Sequence, residues 1–139
     1  MHSLALKMGL EMDESVGTSL IDMYSKCGCF LEAWVVLSQL PNRGSAAWNA
    51  LISGCADHGL VMEVLNSLNR MQEDGVSPVA ITLSCCLKAC SARSHLQSGR
   101  KMHSEIVKLG WERDLDIHNS IIGMYVKCDM IFESQRLFN

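Results

Sequence analysis

The sequence predicts an all-α fold, an α-solenoid built from stacked antiparallel helix-turn-helix hairpins. Residues 1–38 return at residues 102–139, and 14 of the 38 aligned positions are identical without a gap. Inside this period of 101 residues, shifts of 31 and then 35 positions align shorter units. Units of about 31 to 35 residues are the length of one helical hairpin, which cannot bury its apolar face alone and must stack on its neighbours.

Glycine and proline signals place the ends of the helices in order along the chain. The predicted helices are 15–27 and 30–40, then 46–58 and 60–74, then 80–92 and 95–109, and finally 116–128 with a truncated partner from 130 onward. The breaks are marked by Gly28, Gly59, Gly75 and Gly110, and residues 41–44 form a turn. Segment 1–13 is interpreted as the end of an earlier hairpin. We therefore expect a fragment of a longer array, with apolar surface exposed at both ends.

The composition restricts the class of protein. The chain has 139 residues, of which 48% are hydrophobic, with two prolines and a net charge of −3. This composition argues against disorder, and no apolar run reaches the roughly 18 residues of a membrane span. The negative charge gives no general attraction for nucleic acid, so an RNA-binding role would need a local basic face.

The seven cysteines are expected to be buried, unbonded small hydrophobes. Their count is odd and no cleavable apolar leader is visible, which favours a reducing compartment. Cys27 and Cys128 hold one position in two copies of a unit, as do Cys55 and Cys90, so the members of each pair are expected to lie apart along the stack.

The units resemble pentatricopeptide repeats. Residues 45–79 resemble the standard repeat through the run from Trp48 to Gly54 and the ending Gly75-Val76-Ser77-Pro78. Residues 80–114 resemble the long variant, residues 14–44 and 115–139 the short variant, and residues 1–13 the tail of another long unit. The resemblance covers the whole chain as one array, and this alternation is typical of the plant subclass with long, short and standard repeats. It implies a right-handed superhelix.

The resemblance also implies a ligand. Members of the family bind single-stranded RNA, one nucleotide per repeat, and the fifth and last residues of each repeat choose the base. These pairs are Thr18 with Gly44, Asn49 with Val79, Ser84 with Asp114, and Asn119 with a residue beyond position 139. Thr18 favours a purine, and the two asparagines favour pyrimidines. The usual last residue is Asp or Asn, so Gly44 and Val79 predict weak discrimination.

Two alternatives stand beside these assignments. Asn49 and Asn119 are also suited to capping the start of a helix. Lys26 and Lys127 share one repeat position and are candidates for phosphate contacts, or simply cations that suit the end of a helix. Trp34, Trp48 and Trp111 are expected to fill seams between hairpins instead of stacking on bases.

No catalytic motif is recognised, and we expect no enzyme activity, cofactor or metal. His103-Ser104-Glu105 spells the H-x-E opening of a zinc deaminase, but the required P-C-x-x-C does not follow. The sequence therefore predicts a non-catalytic chain with neither a small-molecule substrate nor a membrane partner.

The function implied by the resemblance is an adaptor for single-stranded RNA in a mitochondrion or chloroplast. Within the subclass, such an array selects sites for C-to-U editing, together with an editing deaminase or editing-complex proteins. The alternatives are a protein-binding scaffold of the tetratricopeptide kind and a truncated fragment without a function of its own.

Overall fold

A computed structural model describes residues 14–92 and 96–138, with the backbone alone for residues 129–138, and these residues form seven α-helices and no strand. The first six helices begin and end within one residue of the predicted bounds. The predicted partial unit 1–13 lies outside the described residues. The helices are α1 (Glu14–Lys26), α2 (Phe30–Gln39), α3 (Ser45–Asp57), α4 (Val61–Glu73), α5 (Ala80–Ala92), α6 (Leu96–Leu109) and α7 (Leu115–Phe138).

The helices form two layers. In the first layer, α1, α3, α5 and α7 pack one after another. In the second layer, α2 contacts α1 and α3, α4 contacts α3 and α5, and α6 contacts α5 and α7. Each second-layer helix thus packs against two consecutive first-layer helices. This arrangement is an α-solenoid, as predicted.

A continuous apolar core lies between the two layers. It runs from Ile21 in α1 through Leu51 and Ile52 in α3 and Leu87 in α5 to Ile117 in α7, all at most 1% exposed. Burying each such side chain stabilises the fold by about 1.5–3 kcal/mol. Among the described residues, no helix is long and apolar enough to cross a membrane.

Four helices end at a glycine in the left-handed region of backbone space. Gly28, which follows α1, has φ +83°. Its N–H donates to the carbonyl of Ser25, and the N–H of Cys29 donates to Tyr24, which is the Schellman pattern. The same pair of bonds follows α3, α4 and α6, at Gly59, Gly75 and Gly110. The predicted breaks at these glycines are confirmed.

The predicted break after residue 128 is wrong, because α7 continues to Phe138. Asp129 occupies the position that Gly28 holds in the earlier copy of the unit. An aspartate adopts the left-handed conformation less readily than glycine, so the signal that ends α1 is missing from α7.

The burial of the cysteines is confirmed for four of the seven. No disulfide joins any of the seven, and Cys55, Cys86, Cys90 and Cys128 are buried. Burial raises the pKa of Cys55 and Cys90 to about 11, which keeps both thiols neutral. The expectation was wrong for Cys27 and Cys29, which are exposed because they flank Gly28 in the turn after α1.

A polar clasp joins the ends of two successive hairpins. Arg43, just before α3, donates from Nε and Nη2 to the two carboxylate oxygens of Asp74, just after α4, at 2.9 and 2.8 Å. Trp48 Nε1 also lies 3.4 Å from Asp74 Oδ2, and its ring meets Trp34 edge to face at 5.7 Å. Trp48 is 3% exposed, so its predicted place in a seam is confirmed.

Candidate nucleic-acid interface

The four fifth residues that are predicted to contact bases, here called the reading residues, lie at the same place in the four first-layer helices. These helices begin at residues 14, 45, 80 and 115, and the fifth residue of each is Thr18, Asn49, Ser84 or Asn119. Asn119 is exposed, whereas Asn49 and Ser84 are half-buried. The hydroxyl oxygen of Thr18 is buried and has no hydrogen-bond partner in the described part of the chain.

Neither asparagine caps a helix. The N-cap of α3 is Gly44, which lies five residues before Asn49 and directly precedes the helix. Before α7, Asp114 Oδ1 accepts a hydrogen bond of 3.1 Å from the N–H of Ile117, as an N-cap residue does. The capping alternative is therefore wrong for Asn49 and Asn119.

Asn49 is held by a residue of the next unit. The hydroxyl of Thr82, in the first turn of α5, donates a hydrogen bond to Asn49 Oδ1 across 2.5 Å. Thr82 Oγ1 also accepts a hydrogen bond of 3.2 Å from the N–H of Val79. The side chain of Asn49 is therefore fixed by a contact between two first-layer helices.

The last residue of each unit is the second member of the predicted base-choosing pair, and we call its place the second position. The residues at the second positions, Gly44, Val79 and Asp114, each directly precede a first-layer helix, and their side chains differ in chemistry. Asp114 uses its carboxylate to cap α7. Val79 offers an aliphatic side chain that is 37% exposed, and only its backbone N–H takes part in the bonding around Asn49. A β-carbon on Gly44 would lie 2.6 Å from Glu14 Oε1, at the flexible end of that side chain.

A cavity of about 360 Å³ lies between α5 and α7. Ser84 lines it, together with Ser120 on the facing helix, and two cations, Lys88 and Lys127, lie at its wall. The cavity thus brings a predicted reading residue and a predicted phosphate-contacting lysine to one place.

The lysines of the first layer are partly neutralised. Lys26 forms an ion pair of 3.3 Å with Asp22, and Lys88 one of 2.9 Å with Asp57. The hydrogen bond that Lys88 donates to Asp57 raises the pKa of Lys88. Among residues 14–92 and 96–128, whose side chains the structure describes, no ion pair is found for the exposed Lys127. It also lies inside α7, so the helix-end alternative is wrong for this residue.

The H-x-E histidine is engaged in packing. His103 Nδ1 lies 2.8 Å from the hydroxyl of Tyr125, and the two rings meet edge to face at 5.5 Å. In the part of the chain that the structure describes, no group of three or more His, Cys, Asp or Glu residues is placed to hold a metal.

Sequence reasoning missed Thr82. The feature of the sequence that could have indicated it is a hydroxyl at the third position of its unit, where the other units have Val16, Ala47 and Ile117. Periodicity alone cannot show that this hydroxyl reaches the fifth residue of the preceding unit.

The fold and the row of polar residues define the chain as an α-solenoid of helical-hairpin repeats. The PPR repeat family model matches residues 43–92, and the PPR repeat model matches residues 18–45 and 116–139. The chain belongs to the pentatricopeptide repeat family.

Similar curated proteins come from Arabidopsis thaliana. The chain is 31% identical over 138 residues to the pentatricopeptide repeat-containing protein At1g74600, chloroplastic, covering 99% of this chain and 15% of that protein. It is 36% identical over 139 residues to At4g18520, chloroplastic, covering 100% of this chain and 22% of the relative. The chain therefore spans about a fifth of the length of these relatives.

Solved structures of a maize pentatricopeptide repeat protein, PPR10, are also similar. One matches 99% of this chain and 20% of that chain, with 25% identity and a TM-score of 0.78. The same protein in complex with an 18-nt psaJ RNA element matches with 26% identity and a TM-score of 0.72, over 99% of this chain and 21% of that chain.

Proposed function

We propose that this chain is a segment of an adaptor that binds single-stranded RNA along its first layer, one nucleotide per unit. The observation that carries the proposal is the match of nearly the whole chain to a pentatricopeptide repeat protein in complex with RNA. The polar residues at equivalent places of successive first-layer helices support it, because a regular row of such groups suits splayed bases.

In this proposal Asn49 and Asn119 contact pyrimidines, while Thr18 and Ser84 contribute less to the selection of the base. The hydroxyl of Thr18 is buried, and long-type units such as 80–114 are weak readers by family resemblance. Lys127 contacts phosphate. Gly44, Val79 and Asp114 occupy the second positions, and only Asp114 offers a polar side chain there.

We further propose that the full protein acts in a plant organelle, in site recognition for C-to-U editing with an editing deaminase or editing-complex partner. Relatives named as chloroplastic support an organelle. The alternation of long, short and standard units supports the editing subclass. No catalytic step is assigned to this chain.

Binding to randomised single-stranded RNA at two salt concentrations tests the proposal. We expect binding that weakens as salt rises and a base preference that changes in Asn49→Ala and Asn119→Ala. Asn66→Ala is the matched control, because Asn66 is exposed on α4 in the second layer. A folded, monodisperse protein that binds no RNA would overturn the proposal and favour a protein scaffold.

A further inference from the structure

The second position of unit 45–79 is aliphatic, yet Asn49 has a fixed partner. Val79 N–H donates to Thr82 Oγ1 across 3.2 Å, and the Thr82 hydroxyl donates to Asn49 Oδ1. The bonds form one relay, from backbone through hydroxyl to the reading amide. The backbone N–H of Val79 thus provides a polar contact to the relay, which its aliphatic side chain cannot make.

The relay fixes which end of the amide is occupied. A hydroxyl has one hydrogen to donate and two lone pairs. The N–H of Val79 can only donate, so it occupies one lone pair of Thr82. The atom of Asn49 that faces the hydroxyl is Oδ1, and the separation of 2.5 Å is that of an O–H···O bond, so the hydroxyl hydrogen goes to the amide oxygen. The two N–H donors of Asn49 are the groups left for a base.

The environment strengthens this constraint. Thr82 is fully buried, and Asn49 is half-buried. A hydrogen bond shielded from water competes with fewer alternative partners than an exposed one. The amide is therefore held in one orientation before any ligand arrives.

The relay is specific to one unit. The residues equivalent to Thr82 in the units that follow Thr18 and Ser84 are Ala47 and Ile117, which have no hydroxyl. Those two reading residues receive no such bond.

We infer that Thr82 is a positioning residue that sets the base preference of Asn49, although it belongs to the next unit. This inference rests on the proposed function and deepens it. With its oxygen bound to Thr82, Asn49 presents donors and selects a base that offers acceptors, such as the O2 atom of a pyrimidine. Without Thr82, the amide can turn and present its oxygen to the amino group of a purine.

The test compares the wild-type chain with Thr82→Val, Thr82→Ser and Asn49→Ala. The probes are single-stranded RNAs that differ only at the nucleotide whose preference Asn49→Ala alters. We expect Thr82→Val to reduce the pyrimidine preference there by about fivefold, the effect of one hydrogen bond, and Thr82→Ser to retain it. Ile117→Val, at the same position of the next unit, should leave the preference unchanged.

A double variant separates positioning from a merely structural role. If Thr82 acts through Asn49, adding Thr82→Val to Asn49→Ala changes the preference no further. Circular dichroism checks each fold, and Thr82→Ala replaces Thr82→Val if the methyl group that takes the place of the hydroxyl prevents folding.

The outcomes distinguish this inference from the proposed function. If Asn49→Ala alters the preference and Thr82→Val does not, the role of Thr82 is overturned while RNA binding stands. Loss of preference in Thr82→Ser as well as Thr82→Val would also overturn it, since the hydroxyl would not be the cause. If the folded wild-type chain binds no RNA, both proposals fail.

Discussion

Gly54 in α3 lies so close to Ser25 in α1 that a β-carbon added to Gly54 would be 2.3 Å from the β-carbon of Ser25. The Ser25 hydroxyl donates to the carbonyl of Ile21 at 2.6 Å, within its own helix, and its oxygen also lies 3.3 Å from the carbonyl oxygen of Ala50 in α3. The close approach of α1 and α3, the helices that carry Thr18 and Asn49, depends on this contact.

Gly54→Ala is expected to lower the free energy of unfolding by about 1–3 kcal/mol, because the added methyl group overpacks the contact with Ser25. Gly123→Ala is the matched control. Gly123 also lies in a helix, but a β-carbon there meets no atom within 4 Å, so this change should be neutral or stabilising by up to about 1 kcal/mol. Urea denaturation measures both, and equal effects would contradict the close approach.

Asp74→Asn should weaken the clasp with Arg43 in a pH-dependent manner. The hydrogen bond from Arg43 is the main cause that lowers the pKa of Asp74 below its usual 3.8. Because the folded-state pKa lies below the unfolded one, the stabilisation is complete above about pH 5 and is lost as the pH falls through 3.8 and below.

At pH 7 the Asp74→Asn chain should be less stable by about 0.5–1 kcal/mol, as expected for a well-formed surface ion pair. Denaturation curves recorded at several pH values check this. The difference from the wild type should shrink in acid, and a difference that stays constant from pH 7 to pH 3 would rule out ionisation of Asp74 as its source.

Iodoacetamide at pH 8 should label Cys27 and Cys29 well before the buried cysteines. The first two are exposed, whereas burial raises the pKa of Cys55 and Cys90 to about 11 and leaves few reactive thiolates. Peptide mass spectrometry over a time course measures each rate, and labelling in denaturant provides the reference. Equal rates for Cys27 and Cys90 in the folded chain would contradict the burial.

Lys127→Ala should reduce the salt dependence of RNA binding. Loss of one phosphate contact lowers the slope of log K against log salt by about 0.7 for a single strand. Lys26→Ala should change it less, because Lys26 is already paired with Asp22. Lys108→Ala, on α6 in the second layer, is the control and should leave the slope unaltered. An unchanged slope in Lys127→Ala would exclude this residue from phosphate binding.

The bounds of six helices could be predicted from the sequence because each break depends on a local signal, such as Gly28 or Gly59. The prediction of a break after residue 128 was wrong because it relied on the repeat pattern, although Asp129 stands there in place of the glycine. Cys27 and Cys128 illustrate a further limit. They hold one repeat position, yet Cys27 lies in an exposed turn and Cys128 is buried within a longer helix.

The candidate site was predictable only as a set of positions. Repeat alignment located Asn49 and Asn119, but it could not exclude the capping role, since that depends on where each helix begins. The bond between Asn49 and Thr82 joins residues that are 33 positions apart. Such a contact follows from the packing of α3 on α5, which no local sequence pattern encodes.

The bond between Asn49 and Thr82 also bears on how such arrays can be recombined. If unit 45–79 is grafted into another array by cutting between Val79 and Ala80, the graft lacks the hydroxyl of Thr82, because Thr82 belongs to the next unit. The smallest segment that can be transferred with both Asn49 and Thr82 runs from the start of α3 past the first turn of α5. Shuffling experiments with these junctions should treat overlapping segments, rather than single repeats, as the interchangeable parts.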